Sequence, residues 1–170
     1  MRPAAILLSI LLIAGMPALA QPPACPARGE GPLAAYRNDR FGYGFDVPPN
    51  FAMDPSSVPP GGDGARFWTA DRRATAVVNA QPNPRGLSVQ DLLADAEGDV
   101  VANSGGTITY RRVQDSWFVL SGTMAGRIFY RRTMLTRAGT IATLWMEFPR
   151  DMRPCLDGAV TTMSLSFRGR

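Results

Sequence analysis

Between Thr107 and Phe148 the chain changes its hydrophobic period to two and keeps it through four successive runs: Thr107 to Val113, Trp117 to Met124, Arg127 to Thr136 and Thr140 to Phe148. Only short connections separate them, carrying Gln114-Asp115, Ala125-Gly126 and Ala138-Gly139. Alternating runs joined by tight turns leave no room for crossover helices, so they predict four antiparallel strands in meander order. In the last run Ala142, Leu144, Met146 and Phe148 fall on one face, with Thr143 and Glu147 on the other.

Upstream, Ala35 to Asn38 and Gly42 to Val47 flank Asn38-Asp39-Arg40 and predict a hairpin that Pro48-Pro49 terminates. A Pro- and Gly-rich loop spans residues 54 to 64. A second hairpin follows, from Ala65 to Ala70 and from Thr75 to Gln81, turning at Asp71-Arg72-Arg73. One helix is well marked. Ser88 is an N-cap with Asp91 three residues on, and Val89, Leu92, Leu93, Ala96 and Val100 line one helical face. Gly105-Gly106 ends it, and a closing helix with Leu156, Ala159, Val160 and Met163 on its apolar side stops before Phe167. The expected class is α+β: an antiparallel sheet of about six to eight strands with helices packed on its faces.

The first twenty residues carry a different instruction. Arg2 precedes an apolar run from Ala4 to Ala14, and Gly15-Met16-Pro17 breaks it before Ala18-Leu19-Ala20. These are the three parts of a secretory signal with cleavage after Ala20. A spanning helix needs roughly 20 apolar residues, more than this run supplies. Pro22-Pro23-Ala24 before Cys25 is not a lipobox, so lipidation is not expected. The organisation read from the chain is a signal peptide at 1–20, a Pro/Ala/Gly-rich arm at 21–34 and one domain at 35–170. The expected location is periplasmic or secreted, with no transmembrane segment in the mature chain.

Absences restrict the chemistry further. There is no histidine, which removes Ser-His-Asp and Cys-His catalysis and the commonest zinc ligand. All 18 cations are arginine, so Schiff-base chemistry and a phosphate-loop lysine are also excluded. An all-arginine set suits phosphate binding, but a GC-rich genome writes the same composition, and the abundant Ala, Gly and Pro fit that source. The net charge is +4. Nucleic acid is a poor partner for an exported chain, whatever its charge.

Cys25 and Cys155 are the two cysteines. In an oxidising compartment an isolated pair is expected to be bridged, and closing so long a loop adds roughly 4 to 5 kcal/mol in the chain-entropy model. Gly61-Gly62-Asp63-Gly64 lacks the spacing of a phosphate loop and reads as a flexible loop tip. Asp63 and Asp71 are not in an EF-type calcium spacing. Glu147, beside Trp145, is a candidate half-buried acid, but no second carboxylate is placed with it, and an arginine partner such as Arg111 or Arg131 is the plainer expectation. Trp68, Trp117 and Trp145 are candidates for a ligand groove or for ordinary core. The doublets Arg111-Arg112 and Arg131-Arg132, each following a tyrosine, are candidate contacts for anionic envelope surfaces, with one arginine of each pair facing water. No catalytic residue, cofactor site or metal site is assigned.

Several segments resemble a known family. Tyr36-Arg37-Asn38-Asp39-Arg40-Phe41-Gly42-Tyr43-Gly44-Phe45-Asp46-Val47-Pro48 resembles the opening of secreted bacterial domains with the PsbP-like fold. Asp63-Gly64-Ala65-Arg66-Phe67 is similar to their next strand entry, and Trp117 to Gly122 with Ile128-Phe129-Tyr130 to their central meander. Met163-Ser164-Leu165-Ser166-Phe167 resembles their closing segment. The likeness covers about residues 35 to 168 and implies an antiparallel sheet with helices on its faces. It implies binding or assembly more than catalysis, and it brings no functional residue with it. The expected function is a non-catalytic binding or assembly module of the cell envelope. Its partner would be an envelope protein or cell-wall component. Alternatives are a carboxylate-dependent envelope hydrolase and a peripheral binder of anionic surfaces.

Overall fold

The computed structural model describes residues 31–169. The signal segment, most of the arm and Cys25 lie outside the described residues. Ten strands are β1 (Ala34–Asn38), β2 (Tyr43–Val47), β3 (Ala52–Asp54), β4 (Gly64–Trp68), β5 (Thr75–Pro82), β6 (Thr107–Gln114), β7 (Trp117–Met124), β8 (Arg127–Leu135), β9 (Thr140–Pro149) and β10 (Arg168–Gly169). Two helices, α1 (Val89–Gly98) and α2 (Arg153–Ser166), complete the fold.

A seven-stranded sheet in the order β3-β4-β5-β9-β8-β7-β6 forms the middle layer, and every pairing in it is antiparallel. The predicted meander is present as β6 to β9. Strand β9 closes it onto β5, so the second predicted hairpin joins the same sheet. The first hairpin does not. β1 and β2 form a separate three-stranded sheet with the short C-terminal β10.

Strand alternation divides the interior in two. On one face Ala76, Val78, Leu144, Met146 and Phe148 meet Phe45, Leu156 and Met163 from β2 and α2. An aromatic group anchors this layer: Phe45 lies 5.3 Å from Phe67 and 6.2 Å from Phe167, both edge-on. On the opposite face Val89, Leu92, Leu93 and Ala96 of α1, with Val100 just beyond its end, cover Phe118, Leu120, Phe129 and Ile141. The helix starts at the expected capping box, with Ser88 accepting from the Asp91 amide and the Asp91 carboxylate accepting from the Ser88 amide. It then widens into a π turn over Asp99–Asn103 before Gly106 donates to the Val100 carbonyl at 2.8 Å.

Two local features steer side chains at the β6 edge. The β7–β8 turn places Ala125 and Gly126 both at positive φ, which matches the twist of a two-residue hairpin. Between Ile108 and Tyr110 the β6–β7 register slips by one residue in a bulge. Ile108 and Val113 therefore both face α1, although their positions differ by five, an odd spacing. Gly122 sits beneath this bulge, where a Cβ would lie 1.9 Å from the Thr107 carbonyl oxygen.

Candidate functional site, a shelf and groove beside helix α2

Helix α2 contacts β2, β8 and β9 and leaves the outer strands of the sheet beyond it. The α2-side residues of β6, β7 and β8 stack there in register as successive rows. Tyr110, Ser121 and Tyr130 make one row, and Arg112, Val119 and Arg132 make the next. Rows two residues apart are separated by about 7 Å. The first row lines a groove of about 880 Å³ against α2, with Ile128, Phe148 and Val160 as apolar floor and Arg150, Arg153 and Asp157 at its rim. Tyr130 fixes the groove wall, since its hydroxyl lies 2.9 Å from Ser164 Oγ on α2.

The second row is an arginine shelf. Trp117 stands one pleat further along β7, and the guanidinium carbons of Arg132 and Arg112 lie 4.2 and 5.5 Å from its ring centroid. Val119, only 3% exposed, belongs to neither core cluster and is flanked in register by both arginine stems. Among the described residues neither Arg112 nor Arg132 has an ion pair, and Arg132 Nε is buried without a hydrogen-bond acceptor. Burial pushes the Arg132 pKa down and the like charge of Arg112 adds to that, while Tyr130 opposes it.

The sequence doublets are thus divided between the two faces. Arg111 points to the α1 side, where its Nε is 3.1 Å from Glu97. Arg131 follows it, 4.0 Å from Asp99, over the Phe118 ring and donating to Thr133. Burial lowers the Arg131 pKa, and Asp99 and Asp95 partly offset this. Of the four arginines singled out in the sequence, the structure brings Arg112 and Arg132 together and gives Arg111 and Arg131 to helix α1.

Other candidates resolve into scaffold. Glu147 is held by Arg127, not by Arg111 or Arg131, and Arg127 also donates to the Arg73 carbonyl at 2.7 Å. The three tryptophans do not gather. Trp145 stacks on Phe129 at 5.1 Å on the α1 side, and Trp68 lies between Arg66 and Arg72 on β4. Asp71 accepts from Thr69 Oγ1 and the Arg73 amide, as a turn residue does. The glycine loop differs from the flexible tip expected of it. Arg40 donates to the Gly61 carbonyl, Asn38 to that of Gly62 and the Tyr43 hydroxyl to that of Asp63, so successive loop carbonyls are already occupied. Burial raises the Tyr43 pKa strongly, keeping that hydroxyl a donor. A cation would meet the Arg40 charge there, and no cluster of three metal-ligating side chains occurs among the described residues. Cys155, half-buried, lines a shallow depression with Leu33, Pro48 and Pro49, and there is no free cysteine among the described residues.

No family model matches the chain, and no curated protein matches it. Solved structures do. The solution structure of cyanobacterial PsbP from Synechocystis aligns with a TM-score of 0.61 at 17% identity, covering 86% of this chain and 98% of that one. The crystal structure of the Ran-binding protein Mog1p of Saccharomyces cerevisiae aligns with a TM-score of 0.61 at 8% identity, covering 81% of this chain and 95% of that one. At such identities the likeness concerns backbone architecture. The chain has the α+β fold that PsbP and Mog1p share.

Proposed function

We propose that the protein is an exported, non-catalytic binding or assembly module of the cell envelope, and that the groove between α2 and strands β6 to β8 is its contact surface. The observation that carries this reading is the groove itself: a concave, aromatic- and hydroxyl-lined surface of about 880 Å³ with arginines at its rim. The signal pattern ending at Ala20 supports export, and no described helix is long and apolar enough to cross a membrane. The proposal includes a Cys25–Cys155 disulfide. Its support is the placement of Cys155 beside Leu33, eight residues after Cys25. Proteins of this fold include one described as Ran-binding. A partner for this chain is sought instead among envelope proteins and cell-wall components.

The test is a photocrosslinking amino acid placed at Thr161 or Tyr110 in the exporting cell, with Arg85, outside the groove, as control. Discrete adducts from the groove positions and none from Arg85 are expected. Equal labelling at all three positions, or none, overturns the reading. Intact mass of the exported protein adds a check on processing: a chain beginning at Gln21 and two mass units below the fully reduced value is expected.

A further inference from the structure

The arginine shelf has a feature that a general positive surface lacks. Surface arginines ordinarily point their heads into water or at carboxylates. Here two guanidinium groups from β6 and β8 converge on one indole, with no acid on either among the described residues. A buried N–H without an acceptor, such as Arg132 Nε, is rare in a folded protein and sets this arginine apart from the paired ones. Guanidinium forks match oxyanions in geometry as well as charge. Trp117 holds both heads in place, which limits the side-chain entropy a ligand must remove. The adjoining row, Tyr110, Ser121 and Tyr130, offers hydroxyls and ring surface to whatever the anion is attached to.

We propose that Arg112 and Arg132, braced on Trp117, form a discrete oxyanion-binding site whose ligand extends from the shelf into the groove beside α2. The inference rests on the reading of the groove as the binding surface and names the chemistry it takes: a phosphate-type oxyanion at one end and a body lying across Tyr110 and Tyr130. The site excludes Arg111 and Arg131, whose charges are met by Glu97 and Asp99. A diffuse electrostatic surface would use all four.

The experiment titrates the full mature chain with inorganic phosphate, following the Arg132 Nε–H and Trp117 indole N–H signals by NMR at constant ionic strength. Saturable shifts at these two groups are expected. Arg112→Gln and Arg132→Met should each weaken binding about tenfold, whereas Arg111→Gln should leave it unchanged. Arg132→Met keeps a long apolar stem over Val119, and the exposed Arg112 is a second variant should the first disturb folding. A parallel arm uses phosphatidylglycerol vesicles. Vesicle retention that phosphate displaces assigns the oxyanion to a lipid headgroup; phosphate saturation without retention assigns it to a soluble ligand. Shifts that rise linearly and equally at all arginines, or loss with Arg111→Gln equal to that with Arg112→Gln, overturn the proposal. The photocrosslinking result is independent: a saturable phosphate site with no groove adduct removes the assembly reading and leaves the anion site standing.

Discussion

The two faces of the sheet at its β6 edge start from the same sequence and reach opposite electrostatic outcomes. Both doublets, Arg111-Arg112 and Arg131-Arg132, send one arginine to each side because neighbouring side chains on a strand alternate. Under α1 the arginines meet Glu97 and Asp99, and the apolar rows between them are sealed by the helix. On the α2 side the helix stops short. The arginines and Trp117 become the cover for Val119, and among the described residues their charges have no acid to meet. A charge under a helix is structural here, whereas the same residue type beyond the helix is available for a ligand.

The largest effects should separate the sealed face from the shelf. Phe118, fully buried under α1, should cost about 3 to 5 kcal/mol when changed to alanine. Val119→Ala, one residue later and nearly as buried, should cost only about 1 to 2 kcal/mol, because flexible arginine stems can settle into the space. Denaturant unfolding of the two variants measures this. Equal losses would mean that the shelf is a closed core and not an open cover.

The bulge is the next point of attack. In Gly122→Ala the new methyl would collide with the Thr107 carbonyl, which is backbone and cannot swing away. A loss of about 3 kcal/mol is expected. Protection from hydrogen exchange should fall first along β6, which carries Arg111 and Arg112. Unchanged protection there would show that the bulge is not needed to place them.

Acid should loosen the start of α1. The Asp91 carboxylate accepts from the Ser88 hydroxyl and amide, which hold its pKa below the ordinary 3.8. Because Asp91 is the stronger acid in the folded chain, its contribution is complete above 3.8 and disappears as pH falls through the lower folded value. Amide protection factors at the start of α1, taken against the intrinsic rate at each pH, should therefore fall below about pH 4, and Asp91→Asn should flatten that dependence. A loss of protection that persists in Asp91→Asn places the acid sensitivity elsewhere.

The four-strand meander and the capped helix were legible because each rests on a local rule: alternation with tight turns, and Ser88 with Asp91 before an apolar face. The separate β1-β2-β10 sheet was not, because β10 is two residues long and owes its place to packing of the chain after α2. Arg127 as the partner of Glu147 depended on cross-strand register, which pairs Arg127 with Pro149 and leaves Glu147 within its reach. One missed signal was present in the sequence. Ile108 and Val113, apolar and an odd number of residues apart within one strand, can share a face only if a bulge intervenes. The division of the arginine doublets followed from alternation, but which side would hold acids depended on where α1 lies.

The smallest effect is also the most direct comparison of the two faces. Arg111→Gln removes an exposed ion pair with Glu97 and should cost no more than about 0.5 kcal/mol. Arg112→Gln removes a charge that faces Arg132 and has no carboxylate, so its stability change should lie within about 0.5 kcal/mol of zero, on the stabilising side. Opposite signs for adjacent residues of one type would follow directly from the faces they occupy. Raising ionic strength should shrink both effects, since exposed charges are screened over about 10 Å at 0.1 M salt. If Arg112→Gln destabilises the fold as much as Arg111→Gln, Arg112 contributes to folding as its neighbour does. In that case the cover over Val119 depends on its cation–π contact with Trp117 more than on an electrostatic vacancy.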